Sequence, residues 1–315
     1  MITIKRLLDL HGQELQLQLV SGEKGLTRKI TVPEAQRPGL SLSGYLKGTG
    51  LKRILVFGKA EIGYIKSLDP VTRKERCLGV ISPQVPAMII ARGYRPPKEL
   101  LDLSKEYRIP LFRTEMRTMA FFNKLTLLLG ELFALKMSIH ATLVEAFGVG
   151  VLIQGDSSIG KSEAALGLIE RGHRLISDDI VKLSRKEGGY LEGTGTELNR
   201  HLLEIRGIGI INVAHLFGAV CTNEARRIDM IVKLEEWDDS HFYDRVGLEE
   251  KYVDLLGVKV PSYLLPVKPG RDIVLLIETT VLNHRLKGMG YHSAKEFNVK
   301  LLEEIAKRRT RKNVQ

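Results

Sequence analysis

The sequence predicts an α/β protein of two domains: a small N-terminal α/β domain over residues 1–130 and a C-terminal P-loop-containing α/β domain over 131–315. Three observations predict it. Short apolar runs of strand length alternate with stretches of helical periodicity along the whole chain. The 315 residues are enough to enclose two cores. Residues 155–162 complete the pattern G-x-x-x-x-G-K-[ST] between a strand-like run and a helix-like one.

In chain order, Arg53-Ile54-Leu55-Val56-Phe57 and Cys77-Leu78-Gly79-Val80-Ile81 read as strands, short and apolar. Pro97 to Tyr107 has helical periodicity, and Ile109-Pro110-Leu111-Phe112 follows as an extended piece. A strongly apolar helix over Thr118 to Lys136 leads across the domain boundary. Beyond it, Gly148 to Gln154 reads as a buried strand and Lys161 to Arg171 as a helix. Strands around Leu175 to Leu183, Ile228 to Leu234 and Ile273 to Glu278 are expected to extend the sheet, mixed in direction, and Ser293 to Arg308 to form a closing helix.

Composition narrows the function. The N-terminus carries charges inside an amphipathic pattern, unlike a signal peptide. The longest apolar segment, Leu125 to Met137, is broken by Glu131 and too short to span a bilayer, so a cytoplasmic protein with no membrane association is expected. Cys77 and Cys221 stand far apart and outside any zinc or redox spacing. The net charge of +11 favours acidic partners, but its basic tail, Lys307 to Lys312, reads as a solvated terminus, and no nucleic-acid module accompanies it. No nucleic-acid partner is expected.

The eight-residue match supplies the chemistry. Glycines at 155 and 160 let the backbone of Gly155, Asp156, Ser157, Ser158, Ile159 and Gly160 wrap a phosphate with its N–H groups. Lys161 is suited to neutralise β/γ-phosphates and Ser162 to offer its hydroxyl to Mg²⁺. The loop alone leaves ATPase, GTPase, kinase and switch open. Asp178 and Asp179 follow an apolar strand one helix further on, where an acid can face Mg²⁺ or a reacting hydroxyl. Neighbouring side chains of an extended chain point to opposite faces, so the two acids are expected to differ in direction.

Several ordered stretches carry a resemblance. They are Gln36-Arg37-Pro38-Gly39-Leu40, Ser138-Ile139-His140, Ser162-Glu163, Ile169 to Asp179, His201 to Ile211, Asp244-Arg245, Pro266 to Arg271 and Met289-Gly290-Tyr291. With them the sequence resembles the bacterial HPr kinase/phosphorylases over nearly its whole length. The resemblance implies a hexameric, bifunctional enzyme whose C-terminal domain is the kinase/phosphorylase catalytic domain. It would use ATP, or pyrophosphate as an alternative donor, to phosphorylate a serine of HPr, the phosphocarrier of the sugar phosphotransferase system. With inorganic phosphate it would remove that group as pyrophosphate.

Residue by residue, the resemblance gives Lys161 and Ser162 their phosphate and Mg²⁺ roles and makes Glu204 a second Mg²⁺-associated carboxylate. It makes His140 and Arg245 active-site residues, prefers Asp179 as proton acceptor with Asp178 as its partner, and ties Pro266 to Arg271 to dephosphorylation. Taken alone, His140 reads as a hydrogen-bonded structural histidine, and Glu204 and Arg245 as members of surface ion pairs. Ser158-Ile159 stands where many relatives carry Gly-Val. Two other readings remain: a small-molecule P-loop kinase or NTPase, and a nucleotide-binding regulatory module. The acid pair beside an intact loop argues against the second, since a sensor needs no base for a hydroxyl.

Overall fold

The computed structural model describes residues 2–45, 52–241, 243–244 and 247–312. The chain divides into two compact units, Met1–Ala134 and Leu135–Gln315.

The first unit is built on a five-stranded sheet in the order Gln18–Ser21, Leu111–Arg113, Met88–Ile90, Ile54–Phe57, Ala35–Gln36. The last four are mutually parallel and Gln18–Ser21 is antiparallel. Ile54 to Phe57 has no polar side because both its faces are covered. Leu55 and Phe57 pack with Ile62, Ile65, Leu100 and Leu103 from helices Lys59–Ser67 and Lys98–Glu106. Ile54 and Val56 face Phe121, Leu125 and Leu129 of the helix Thr118–Phe133.

One expectation in this unit fails. Cys77 to Ile81 is not a strand: residues 77–80 form the last turn of the helix Pro70–Val80. Asp69 caps its start by accepting from the N–H groups of Val71 at 3.0 Å and Thr72 at 3.1 Å, with Pro70 opening the first turn. Cys77 and Val80, three apart, are its two buried residues. The apolar run was too short to separate a helix end from a strand.

The second unit carries a six-stranded mixed sheet in the order Arg174–Ser177, Thr142–Ala146, Val149–Gln154, Met230–Glu236, Val258–Val267, Lys251–Leu255. Met230–Glu236 runs parallel to Val149–Gln154 on one side and to Val258–Val267 on the other. The remaining pairs are antiparallel. A second sheet, all antiparallel, orders Ala225–Arg227, Leu191–Thr194, Ile180–Arg185, Lys136–His140. Val151 and Ile153 send their side chains into a core with Ala164, Ala165, Leu168 and Ile169 of the helix Lys161–Glu170. Leu152, between them, faces the other way and packs with Val181, Leu183 and Leu191 of the second sheet.

Two further expectations change here. Leu175 to Leu183 is two strands in two sheets, with Asp178 and Asp179 at the corner between them. Ile273 to Glu278 is no strand but the start of the helix Ile273–Gly288, which Asp272 caps by accepting from Leu275 N–H at 2.9 Å. Its buried residues, Ile277 and Val281, are four apart and bind it to the P-loop helix. The closing helix spans Ser293–Lys312. Among the described residues no helix is long and apolar enough to cross a membrane.

Candidate active site

The strand Val149–Gln154 ends at Gly155, and the helix Lys161–Glu170 starts after Gly160. Gly155 lies at φ +149°, where an added Cβ would stand 2.6 Å from the carbonyl oxygen of Leu234 on the neighbouring parallel strand. Gly160, at φ +98°, turns the chain into the helix from the left-handed region. Between them Ile159 N–H closes a turn on Asp156 O at 3.3 Å, and the Ile159 side chain packs on the core. Ser158 holds φ +73° without being a glycine, and its hydroxyl donates to the carbonyl of Ser157. Lys161 folds back over this loop, Nζ donating to Gly155 O at 2.9 Å and Asp156 O at 2.8 Å. Its ammonium thus sits at the mouth of the loop, held by carbonyls that phosphate oxygens can replace.

Asp178 and Asp179 part company at the corner between the sheets. Asp178 is 4% exposed. Its Oδ1 accepts from Thr142 Oγ1 at 2.6 Å, and its Oδ2 accepts from Ser162 Oγ at 2.8 Å and from Glu204 N–H at 3.4 Å. Among the described residues it faces no cationic side chain within ion-pair distance. A buried carboxylate satisfied by hydroxyls and an amide, with its charge unmatched, has the character of a cation ligand or of a group orienting one.

Asp179 turns outward. Its φ of +65° reverses the chain, its carbonyl accepts from Ala141 N–H at 3.1 Å, and its side chain is 63% exposed. Oδ1 stands 3.4 Å from Nδ1 of His140, the last residue of the strand Lys136–His140. His140 pairs across that sheet with Ile180, immediately after Asp179, so the register itself brings the two side chains together.

Glu204 lies in the hairpin formed by Leu202–Ile205 and Gly209–Asn212. Leu203 and Ile205 are buried while Glu204 is exposed, so its strand passes over Asp178 with the carboxylate outward. The turn Pro266 to Arg271 is braced by Arg271 Nη1, which donates to Pro266 O at 3.0 Å. Lys268 and Arg271 stand 5.4 and 5.6 Å from the ring centre of Trp237. Arg245 lies outside the described residues.

The structure therefore brings the P-loop, Ser162, Asp178 and the Glu204 backbone into one bonded group, and His140 and Asp179 into a pair joined to it through the chain. Oxygen donors dominate this group, as a hard cation such as Mg²⁺ requires, and the loop's exposed N–H face suits a nucleotide phosphate. Two residues escaped the sequence reading, one in this group and one beside the turn Pro266 to Arg271. Thr142 fixes Asp178 from 36 positions away, and a lone threonine inside an apolar strand gives no signal. Trp237 is the only tryptophan of the chain, which marks it as unusual but not as the platform of a basic turn.

Comparison with known proteins places these features in a family context. Residues 131–301 match the model of the HPr Serine kinase C-terminal domain, and residues 2–129 that of the HPr Serine kinase N terminus. A protein of Brevibacillus brevis named HPr kinase/phosphorylase is 42% identical over 284 residues, covering 90% of this chain and 91% of its own. One of Bacillus pumilus with the same name is 40% identical over 293 residues, covering 93% and 94%. The solved structure of the Hpr(Ser) kinase/phosphatase from Coxiella burnetii shares 38% identity, covering 51% of this chain and 98% of that one with a TM-score of 0.47.

Proposed function

Since the chain belongs to the HPr kinase/phosphorylase family, we propose that its P-loop site moves a phosphoryl group between ATP and a serine of HPr, and from that serine to inorganic phosphate. The observation that carries the assignment of roles is the divergence of the two acids: Asp178 buried against Ser162, Asp179 exposed beside His140.

In the forward direction the serine hydroxyl of HPr attacks the γ-phosphorus, the bond to the bridging oxygen breaks, and ADP leaves. Asp179 takes the serine proton as the new P–O bond forms, because an un-ionised hydroxyl is a poor nucleophile. Its exposure suits it to a protein substrate, which must approach from solvent. In reverse, an oxygen of inorganic phosphate attacks the phosphoserine phosphorus, Asp179 returns the proton to the departing serine oxygen, and pyrophosphate leaves. His140 holds the Asp179 carboxylate in place.

Lys161 exchanges its loop carbonyls for phosphate oxygens and, with Arg245, offsets charge on the transferred group. Mg²⁺, when bound, would neutralise charge on the phosphate oxygens. Ser162 and Glu204 would hold it, and Asp178 would keep Ser162 in position. Pyrophosphate as donor would use the same cradle. The exposed apolar side chains of the closing helix, Phe297, Val299, Leu301, Leu302 and Ile305, favour a homo-oligomer, for which we adopt the hexamer. We also assign the enzyme to the cytoplasm, without nucleic-acid or membrane partners.

Asp179→Asn tests this reading. It keeps the side chain's size and removes the base, so Mg-ATP binding should persist while transfer falls in both directions by roughly 10²–10⁴-fold. Rates near those of the parent protein in either direction would reject Asp179 as the proton carrier.

A further inference from the structure

The motif around Arg37 has no part in the chemistry above, yet it borders a cavity of about 670 Å³ in the first unit. We propose that this cavity is a binding site for a small phosphate-bearing molecule with an apolar or aromatic body, separate from the P-loop.

Topology supplies the first ground. The parallel strands Ala35–Gln36, Ile54–Phe57, Met88–Ile90 and Leu111–Arg113 all end on one edge of the sheet. Just past their carboxyl ends stand Arg37, Lys59, Arg92 and Arg117, and all four line the cavity. Ligands of open α/β sheets bind in crevices outside the carboxyl ends of the strands. Here every strand of the parallel set delivers a cation to that crevice.

Charge supplies the second. No carboxylate lines the cavity. Arg37 is fixed by Glu61, Nε and Nη2 each donating to a carboxylate oxygen at 3.1 Å, and Glu61, 3% exposed, also accepts from Gly58 N–H at 2.9 Å. Lys59, Arg92 and Arg117 have no acidic partner among the described residues. Three cationic residues without an acidic partner therefore stand around one concave space whose wall is mostly apolar. Arg92 is held there at φ +62°, a conformation that costs a non-glycine residue and persists where surrounding structure imposes it.

Hydrogen bonding supplies the third. The helix Thr118–Phe133 begins on the cavity wall with no side chain capping it, so its first N–H groups await an acceptor. Thr118, 5% exposed, also stands in the wall, its Oγ1 packed toward the backbone of Gly58. Tyr64 adds an aromatic face. The volume is that of a small-molecule pocket.

The full-length Lys161→Ala protein, disabled in its P-loop, provides the test, with radiolabelled inorganic phosphate as probe in equilibrium dialysis at physiological salt and phenyl phosphate as competitor. We expect one saturable phosphate site that phenyl phosphate competes for. Adding Arg92→Gln and Arg117→Gln should weaken it roughly tenfold or more, with an unchanged circular dichroism spectrum. Lys59→Gln, a single surface change, should weaken it in the same direction and keeps the test alive if the double variant does not fold. The proposal fails if Lys161→Ala binds no phosphate saturably, or if binding survives these substitutions. It fails equally if they alter only the sedimentation of the protein or its affinity for HPr, which would make the basic rim a protein contact.

Discussion

Ser162 Oγ donates to Asp178 Oδ2 at 2.8 Å, joining the first turn of the P-loop helix to the corner between the two sheets. In the proposed mechanism the acid next to the phosphate loop acts through the loop's own serine, while the following, exposed acid meets the substrate. Asp178→Asn should therefore separate from Asp179→Asn. Replacing Asp178 by an amide removes the charge that orients Ser162, and Mg-nucleotide affinity should fall roughly 10–100-fold. Calorimetric titration with Mg-ATP reads this directly, and equal affinities for the parent and Asp178→Asn proteins would contradict it.

Lys161→Ala should depress both directions of transfer together, each by about 10²-fold or more, because in the proposed mechanism one cation serves the phosphates in both. Paired assays of kinase and phosphorylase activity check it. Loss confined to one direction would show that Lys161 does not hold the shared phosphoryl group.

Ser158 occupies the left-handed region at φ +73°. Ser158→Gly relieves that strain but frees the unfolded chain, two effects of about 1 kcal/mol each that oppose one another. Global stability should change by less than about 1 kcal/mol, and ATP affinity should hold or rise as the backbone approaches phosphate more closely. A drop in ATP affinity would show that the Ser158 side chain itself contributes to the site.

Acid should loosen the link between the helices Lys161–Glu170 and Ile273–Gly288. Burial pushes the Glu278 carboxyl up, but bonds from Arg171 at 2.7 Å and His173 at 2.9 Å outweigh it and leave the group below its ordinary range. The capping bond from Leu275 and then Arg171 lower Asp272 likewise. Carboxyls depressed in the folded state stabilise it fully above their unfolded values, about pH 4, and lose that contribution as pH falls through the folded ones. Urea midpoints should fall below about pH 4 and do so less steeply in Glu278→Gln; parallel curves would remove this pair from the account.

Burial pushes the Cys77 thiol up to about 11, whereas Cys221 is only half-buried. At about pH 8 a thiol reagent should label one cysteine per native chain and two after denaturation. Rapid native labelling of Cys77 would show that its helix opens readily.

The sequence carried the phosphate loop outright, because the glycines, Lys161 and Ser162 are contiguous and their roles follow from spacing. It also carried Ile54 to Phe57, whose uninterrupted apolar character matches a strand covered on both faces. Cys77 to Ile81 and Ile273 to Glu278 were misread for one reason. A five- or six-residue apolar run fits a strand or a helix turn, and what decides is a cap, Asp69 or Asp272, whose role depends on folded geometry. Which of Asp178 and Asp179 turns inward was equally hidden in the residue pattern, although the family resemblance already preferred Asp179 as proton acceptor. Alternation predicts opposite directions, but only the placement of Thr142 and the Glu204 strand determines which acid turns inward.

The measurement that bears most directly on the enzyme's reaction uses the purified full-length protein, Mg-ATP and HPr from the same organism. Intact-mass analysis follows HPr, first with ATP and then after excess inorganic phosphate, while released pyrophosphate is assayed. The account predicts a serine-linked phosphate on HPr that inorganic phosphate strips away, with one pyrophosphate released for each phosphoserine lost. A folded, ATP-binding protein that leaves HPr unmodified, or whose phospho-HPr yields no pyrophosphate, would contradict it.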